Sequence, residues 1–203
     1  FNKNEEPKIH IIVGNDDLSF SSSTLGEGWQ YICLTKDNDD WIVNINETQI
    51  TDTFNFNFSN SDLVIGHSKD NNKFFCGFMA EIQLTEDILD GTVPTNKLDV
   101  DNALYEKTCL LLHFNGNNND VVFQDDSRWN HDIIPVGDAK ISTAQSKFSG
   151  SSLYLLNNSN YPSVYIPPHE SLYLKDNDFT IECWAFATSI NKNQIILSVG
   201  NNN

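Results

Sequence analysis

The sequence predicts an all-β fold, an antiparallel β-sandwich of the jelly-roll kind, on three observations. Apolar and polar residues alternate over short runs, the period of a strand with one buried face. Clusters of Asn, Asp, Gly and Ser separate these runs at short intervals, as turns do between paired strands. Helical periodicity is almost absent, so the layers available to build a core are sheets.

The strands follow in order along the chain. KIHIIVG (8–14), WQYICLT (29–35) and WIVNI (41–45) come first, and Trp41, Val43 and Ile45 share one face of the third. DLVIG (62–66) and FFCGFMAEIQL (74–84) follow, set off by the polar clusters NFSNSD and HSKDNNK. The stretch GTVPTNKLDVDNALYEKT (91–108) is polar, carries a proline and does not alternate, which marks it as a connector. Beyond it lie CLLLHF (109–114), SLYLL (152–156), SVYIP (163–167), FTIECWAF (179–186) and QIILSVG (194–200). In FTIECWAF, alternation sends Phe179, Ile181, Cys183 and Ala185 one way and Thr180, Glu182, Trp184 and Phe186 the other. Residues 141–149 and 168–174 are each expected to hold a helical turn. Trp29 and Trp41 read as core residues.

Composition narrows the function. The 203 residues carry a formal charge of −16, and Arg128 is the only arginine. Nucleic-acid binding is not expected, because phosphate contacts need clustered Lys and Arg. No run approaches the roughly 18–20 apolar residues of a membrane-spanning helix, so no membrane insertion is expected. The opening FNKNEEP lacks the basic-then-apolar pattern of a signal peptide. Cys33, Cys109 and Cys183 sit in apolar runs and Cys76 in FFCGFM, none with CxxC spacing, so four reduced thiols are expected.

The blocks AKISTAQSKFSGSSLYLL (139–156) and SVYIPPHESLYLKDNDFTIECWAFAT (163–188) resemble the laminin G-like branch of the concanavalin A-like lectin/glucanase superfamily. The closest likeness is to the tandem versions in bacteriophage tail and other virion proteins. CLLLHFNG resembles the family's first strand, and QDDSRWNHDI (124–133) its Asp-Ser…Asn-His loop. GWQYICLTKDNDDWIVNINETQI, LVIGHS and FFCGFMAEIQLTEDIL resemble the later strands. The order is permuted: residues 1–92 look like the C-terminal half of such a sandwich, 93–107 like a linker, and 108–203 like the N-terminal half. A window onto a tandem array, a circular permutant and a swap between chains all remain open. Each places the strand at 109–115 beside that at 75–84.

The resemblance implies a non-enzymatic structural and surface-binding module of a phage or virus particle: a tail fibre, spike or decoration protein at the virion surface. Its partners would be other copies or repeats of the protein and a host-surface glycan. The alternative is a secreted or cell-surface carbohydrate-binding or adhesion domain. A glycan-cleaving enzyme is the third class, but the Glu-x-Asp-x-x-Glu pattern is absent. Glu81 and Glu86 are five apart and would face opposite ways on a regular strand. No histidine lies in a nucleophile-elbow context, so no catalytic residue is nominated. Trp184, beside Glu182 on the face away from Phe179, is a candidate for stacking on a sugar, and Trp129 is a second, in a loop. Asp125, Asp126 and Asn130 offer clustered oxygens for calcium, with turn capping by Asp125 and Asn130 as the alternative.

Overall fold

The computed structural model describes residues 8–13, 16–21, 27–53, 62–68, 73–97, 104–148, 150–156, 160–174, 177–189 and 193–200. Two sheets contain nearly all the strands. The first has the order β11 (Ile134–Val136), β14 (Ser163–Ile166), β6 (Asp62–Ile65), β16 (Gln194–Gly200), β1 (Lys8–Val13) and β2 (Asp16–Ser21). The second runs β12 (Lys140–Ser142), β13 (Ser152–Leu155), β9 (Gly77–Thr85), β15 (Phe179–Ala187), β3 (Gln30–Asp37), β4 (Asp40–Ile45) and β5 (Thr48–Thr53). Strand β10 (Thr108–Leu112) joins it by pairing with β9. A small hairpin of β7 (His67–Ser68) and β8 (Lys73–Phe74) forms a third, two-stranded sheet beside β16, where Ser198 Oγ–H donates to His67 O. The chain is an all-β sandwich.

Among the described residues, every strand pairing is antiparallel but one: β1 runs parallel to β16, with Ile9 opposite Gln194 and Val13 opposite Val199. A wholly antiparallel sandwich is therefore corrected at that pair. The expected neighbours do meet, since Leu110 lies opposite Leu84 and Leu112 opposite Ile82. Strands from before and after the connector interleave in both sheets. Among the described residues, β6 pairs only with β14 and β16, and β9 only with β10, β13 and β15, all from the second half of the chain.

The core between the sheets follows from alternation. Phe179, Ile181, Cys183 and Ala185 of β15 enter it, as do Trp41, Val43 and Ile45 of β4. Trp41 and Phe179 meet edge to face, with ring centroids 5.5 Å apart. The β3–β4 and β4–β5 hairpin turns use Asn38 and Asn46 at positive φ (54° and 53°), a conformation that Asn tolerates better than most residues. All four cysteines are free and buried. Burial pushes the thiols of Cys33 and Cys109 up to about 11.

Three local expectations are corrected. Trp29 packs not in the main core but on the opposite face of the second sheet, beside Tyr31, Cys33, Ala80 and Trp184. Residues 143–148 bend without forming a helical turn, whereas Glu170–Leu172 forms a 3-10 turn, as does Tyr105–Lys107 in the connector. Strand β9 is not regular. Its register against β15 slips between Glu182 and Trp184, and Glu81 sits there at φ 53°. This β-bulge removes the alternation on which opposed Glu81 and Glu86 faces depended. Among the described residues, no helix is long and apolar enough to cross a membrane.

Candidate functional site

The loop from Gln124 to His131 is built around one inward-turned carboxylate. Asp125 accepts five hydrogen bonds: from Leu111 N–H, Ser127 N–H and Oγ–H, and from His131 N–H and Nδ1, at 2.6–3.0 Å. The group is only 2% exposed. Burial alone would raise the Asp125 carboxyl, but donors from His131, Leu111 and Ser127 outweigh it and hold the group below the usual carboxylate range. Asp126 faces outward, where Gln124 Nε2 donates to it at 2.8 Å, and its backbone N–H donates to Leu111 O. Its carboxylate lies 3.7 Å from His113 Nε2, whose Nδ1 sits 2.6 Å from Glu81 in the β9 bulge. Asn130 is exposed at φ 46° and donates its N–H to Ser127 O.

These contacts do not fit a calcium site at Asp125, Asp126 and Asn130. A cation would need lone pairs that Asp125 has already committed to five protein donors. Asp125 instead ties the loop to β10 through Leu111.

The same loop forms one wall of a cleft of about 280 Å³. Arg128 and Trp129 come from the loop, Glu106 from the connector's 3-10 turn, and Glu170, Ser171 and Tyr173 from the turn after β14. Trp129 is half-buried. The Arg128 guanidinium lies 4.7 Å from its ring centroid, and the His169 ring meets it edge to face at 5.4 Å. Arg128 also pairs with Glu106. Beneath this rim, His131 Nε2 is 2.7 Å from Ser171 Oγ, and His169 Nδ1 is 2.9 Å from the same oxygen. His169 caps the 3-10 turn by accepting Ser171 N–H. A hydrogen-bond chain Asp125–His131–Ser171 thus crosses from the loop to the opposite wall.

The other sequence-nominated pair lies elsewhere. Trp184 and Glu182 do share the face away from the main core, but that face is covered, and Trp184 is 3% exposed. Phe148 meets the Trp184 ring edge to face at 5.8 Å, and Lys147 Nζ lies 3.6 Å from its centroid. Residues 87–93 cross the same face: Leu89 N–H donates to Thr180 Oγ at 3.0 Å, Thr180 Oγ–H to Asp87 O at 2.9 Å, and Val93 packs on the aromatic cluster. Glu182 accepts the Tyr31 hydroxyl. Burial pushes the carboxyl of Glu182 up against that hydrogen bond, and burial with Cys33 and Glu182 raises the phenol of Tyr31, which stays a donor. Trp184 and Glu182 are therefore packing residues, not a sugar platform.

Of the sequence-nominated residues, the structure brings Trp129, Asp125, Asp126 and Asn130 onto one loop and leaves Trp184 and Glu182 apart. It adds His131, His169 and Ser171. No family model, no curated protein and no solved structure matches this chain.

Proposed function

We propose that this chain is a structural and surface-binding module of a phage or virus particle, a laminin G-like sandwich that contacts host-surface glycan through the Trp129 cleft. The observation that carries the binding reading is the half-buried Trp129 in a cleft ringed by Glu106, Arg128, Glu170, Ser171 and Tyr173. An indole offers an apolar surface to the C–H face of a sugar, and carboxylate, guanidinium and hydroxyl groups around it match the sugar's hydroxyls. Placement on loops held by a rigid sandwich lets such contacts vary without disturbing the core. The particle setting rests on the resemblance of residues 139–156 and 163–188 to tandem virion domains, and implies other copies of the protein as neighbours.

Two measurements test it. Glycan-array binding of the purified chain should fall at least about 10-fold in Trp129→Ala, a loss of about 1.4 kcal/mol, with the melting temperature kept. Binding that survives this substitution sinks the cleft as the contact site. Peptides of the chain recovered in stoichiometric amount from density-purified particles support the virion setting, whereas recovery from a cell envelope alone points to an adhesion domain.

A further inference from the structure

The Asp125–His131–Ser171 chain has the connectivity of a nucleophile, a general base and a carboxylate that orients the base. We propose that Ser171 is an activated nucleophile that cleaves small acyl esters in the Trp129 cleft. The proton positions follow from the hydrogen bonds. Asp125 has only donors around it, including His131 Nδ1 at 2.6 Å, so that nitrogen carries the hydrogen. In the neutral ring Nε2 is then the acceptor, and Ser171 Oγ lies 2.7 Å from it. The hydroxyl also lies 2.9 Å from His169 Nδ1, which accepts the Ser171 N–H, and its shorter contact is the one to His131 Nε2. Asp125 also receives the His131 N–H, which fixes the direction of the imidazole as well as its tautomer. Ser171 is half-buried and lines the cleft, so the hydroxyl meets whatever enters it.

The step balances without a further cofactor. Ser171 Oγ bonds to the acyl carbon as its proton passes to His131 Nε2, and the carbonyl π pair moves onto oxygen. Collapse breaks the ester C–O bond, and His131 returns the proton to the leaving alcohol. Water then repeats the sequence on the acyl-serine and releases the acid. The N–H groups of Leu172 and Tyr173 already donate to His169 O and Glu170 O. Charge on the acyl oxygen therefore falls to Arg128, whose five N–H donors are not exhausted by Glu106. Without a backbone oxyanion pair the site suits esters, whose alcohols leave readily, and not amides. With a sugar seated on Trp129 the substrate class is an O-acylated sugar, and this last part rests on the glycan-binding reading.

The test uses the whole chain and begins with probes that carry no sugar. A fluorophosphonate should label Ser171 in the folded protein and not after heat denaturation, read by peptide mass mapping. Hydrolysis of p-nitrophenyl acetate should fall about 100-fold or more in Ser171→Ala, the scale of lost acid–base catalysis, and likewise in His131→Gln if it folds. Asp125→Asn should shift the pH profile of labelling, and a change in yield alone removes its positioning role. No label on Ser171, or hydrolysis unchanged in Ser171→Ala, overturns the proposal. Acetate release from an O-acetylated sugar by the whole chain, absent in Ser171→Ala, supports the nucleophile and the sugar-ester substrate together. Labelling without any sugar deacetylation overturns the sugar-ester substrate and leaves the nucleophile standing.

Discussion

Replacing Asp125 with alanine leaves the Leu111 and His131 N–H groups and the His131 ring without their acceptor. Loss of one partner from a buried charged network of this kind costs about 3–5 kcal/mol, to be read from urea unfolding at pH 7. The pH dependence has opposite signs at two carboxylates. Asp125 has a depressed folded value, so its contribution is present above the ordinary 3.8 and is lost as pH falls through the lower folded value. Glu182 has a raised folded value, so its contribution is present below the ordinary 4.5 and is lost as pH rises through the folded one. Glu182→Gln, which keeps an acceptor for Tyr31, should therefore raise the urea midpoint at pH 7 and lose that advantage below pH 4.5. An unchanged midpoint at pH 7 would count against a strained carboxylate there. Alternation correctly separated Glu182 and Trp184 from Phe179. It could not reveal that residues 87–93 and Phe148 cover them, because those contacts span some ninety and thirty-six positions. Likewise the oxygen-rich run around Asp125 was legible, but not that its carboxylate turns inward.

Strand β9 shows where a strand can and cannot be read from its pattern. Met79, Ile82 and Leu84 all face the core, a three-then-two spacing that regular alternation does not produce and the bulge at Glu81 does. Its first residue, Gly77, is held against β15 so closely that a β-carbon would meet the Phe186 carbonyl oxygen, a backbone atom with no rotamer to move. Gly77→Ala should therefore lower the melting temperature sharply, whereas Gly28→Ala meets no steric obstacle within 4 Å and pays only for its φ of 95°. Across the strand's partner, Phe179→Ala removes a fully buried ring from the contact with Trp41 and should cost about 3–5 kcal/mol in chemical denaturation. The long apolar strands were legible from sequence. The short β11 and β12 were not, being three residues each and defined by their neighbours β14 and β13.

At the scale of the molecule, four buried thiols predict that a thiol reagent at pH 8 reacts slowly with the native chain and with all four cysteines once it is unfolded. Fast reaction of any one in the native state would contradict their burial. The interleaving of strands predicts that residues 1–97 and 104–203, expressed separately, lack a cooperative unfolding transition and regain one when combined. The blocks that carried the laminin G-like resemblance implied one pairing, the strand at 109–115 beside that at 75–84, which β10 and β9 make. They did not tell of the parallel β1–β16 pair, which depends on how distant segments lie down beside each other. The exclusive pairing of β6 and β9 with later strands has a consequence for synthesis. While the nascent chain leaves the ribosome, Leu63, Ile65 and Met79 stay without their sheet partners until the segment carrying β13 to β16 has emerged. Such a chain must be shielded from its own kind between the emergence of β6 and that of its later partners, so its yield in a cell should depend on chaperones that hold unfolded polypeptide more than on the stability of the finished sandwich.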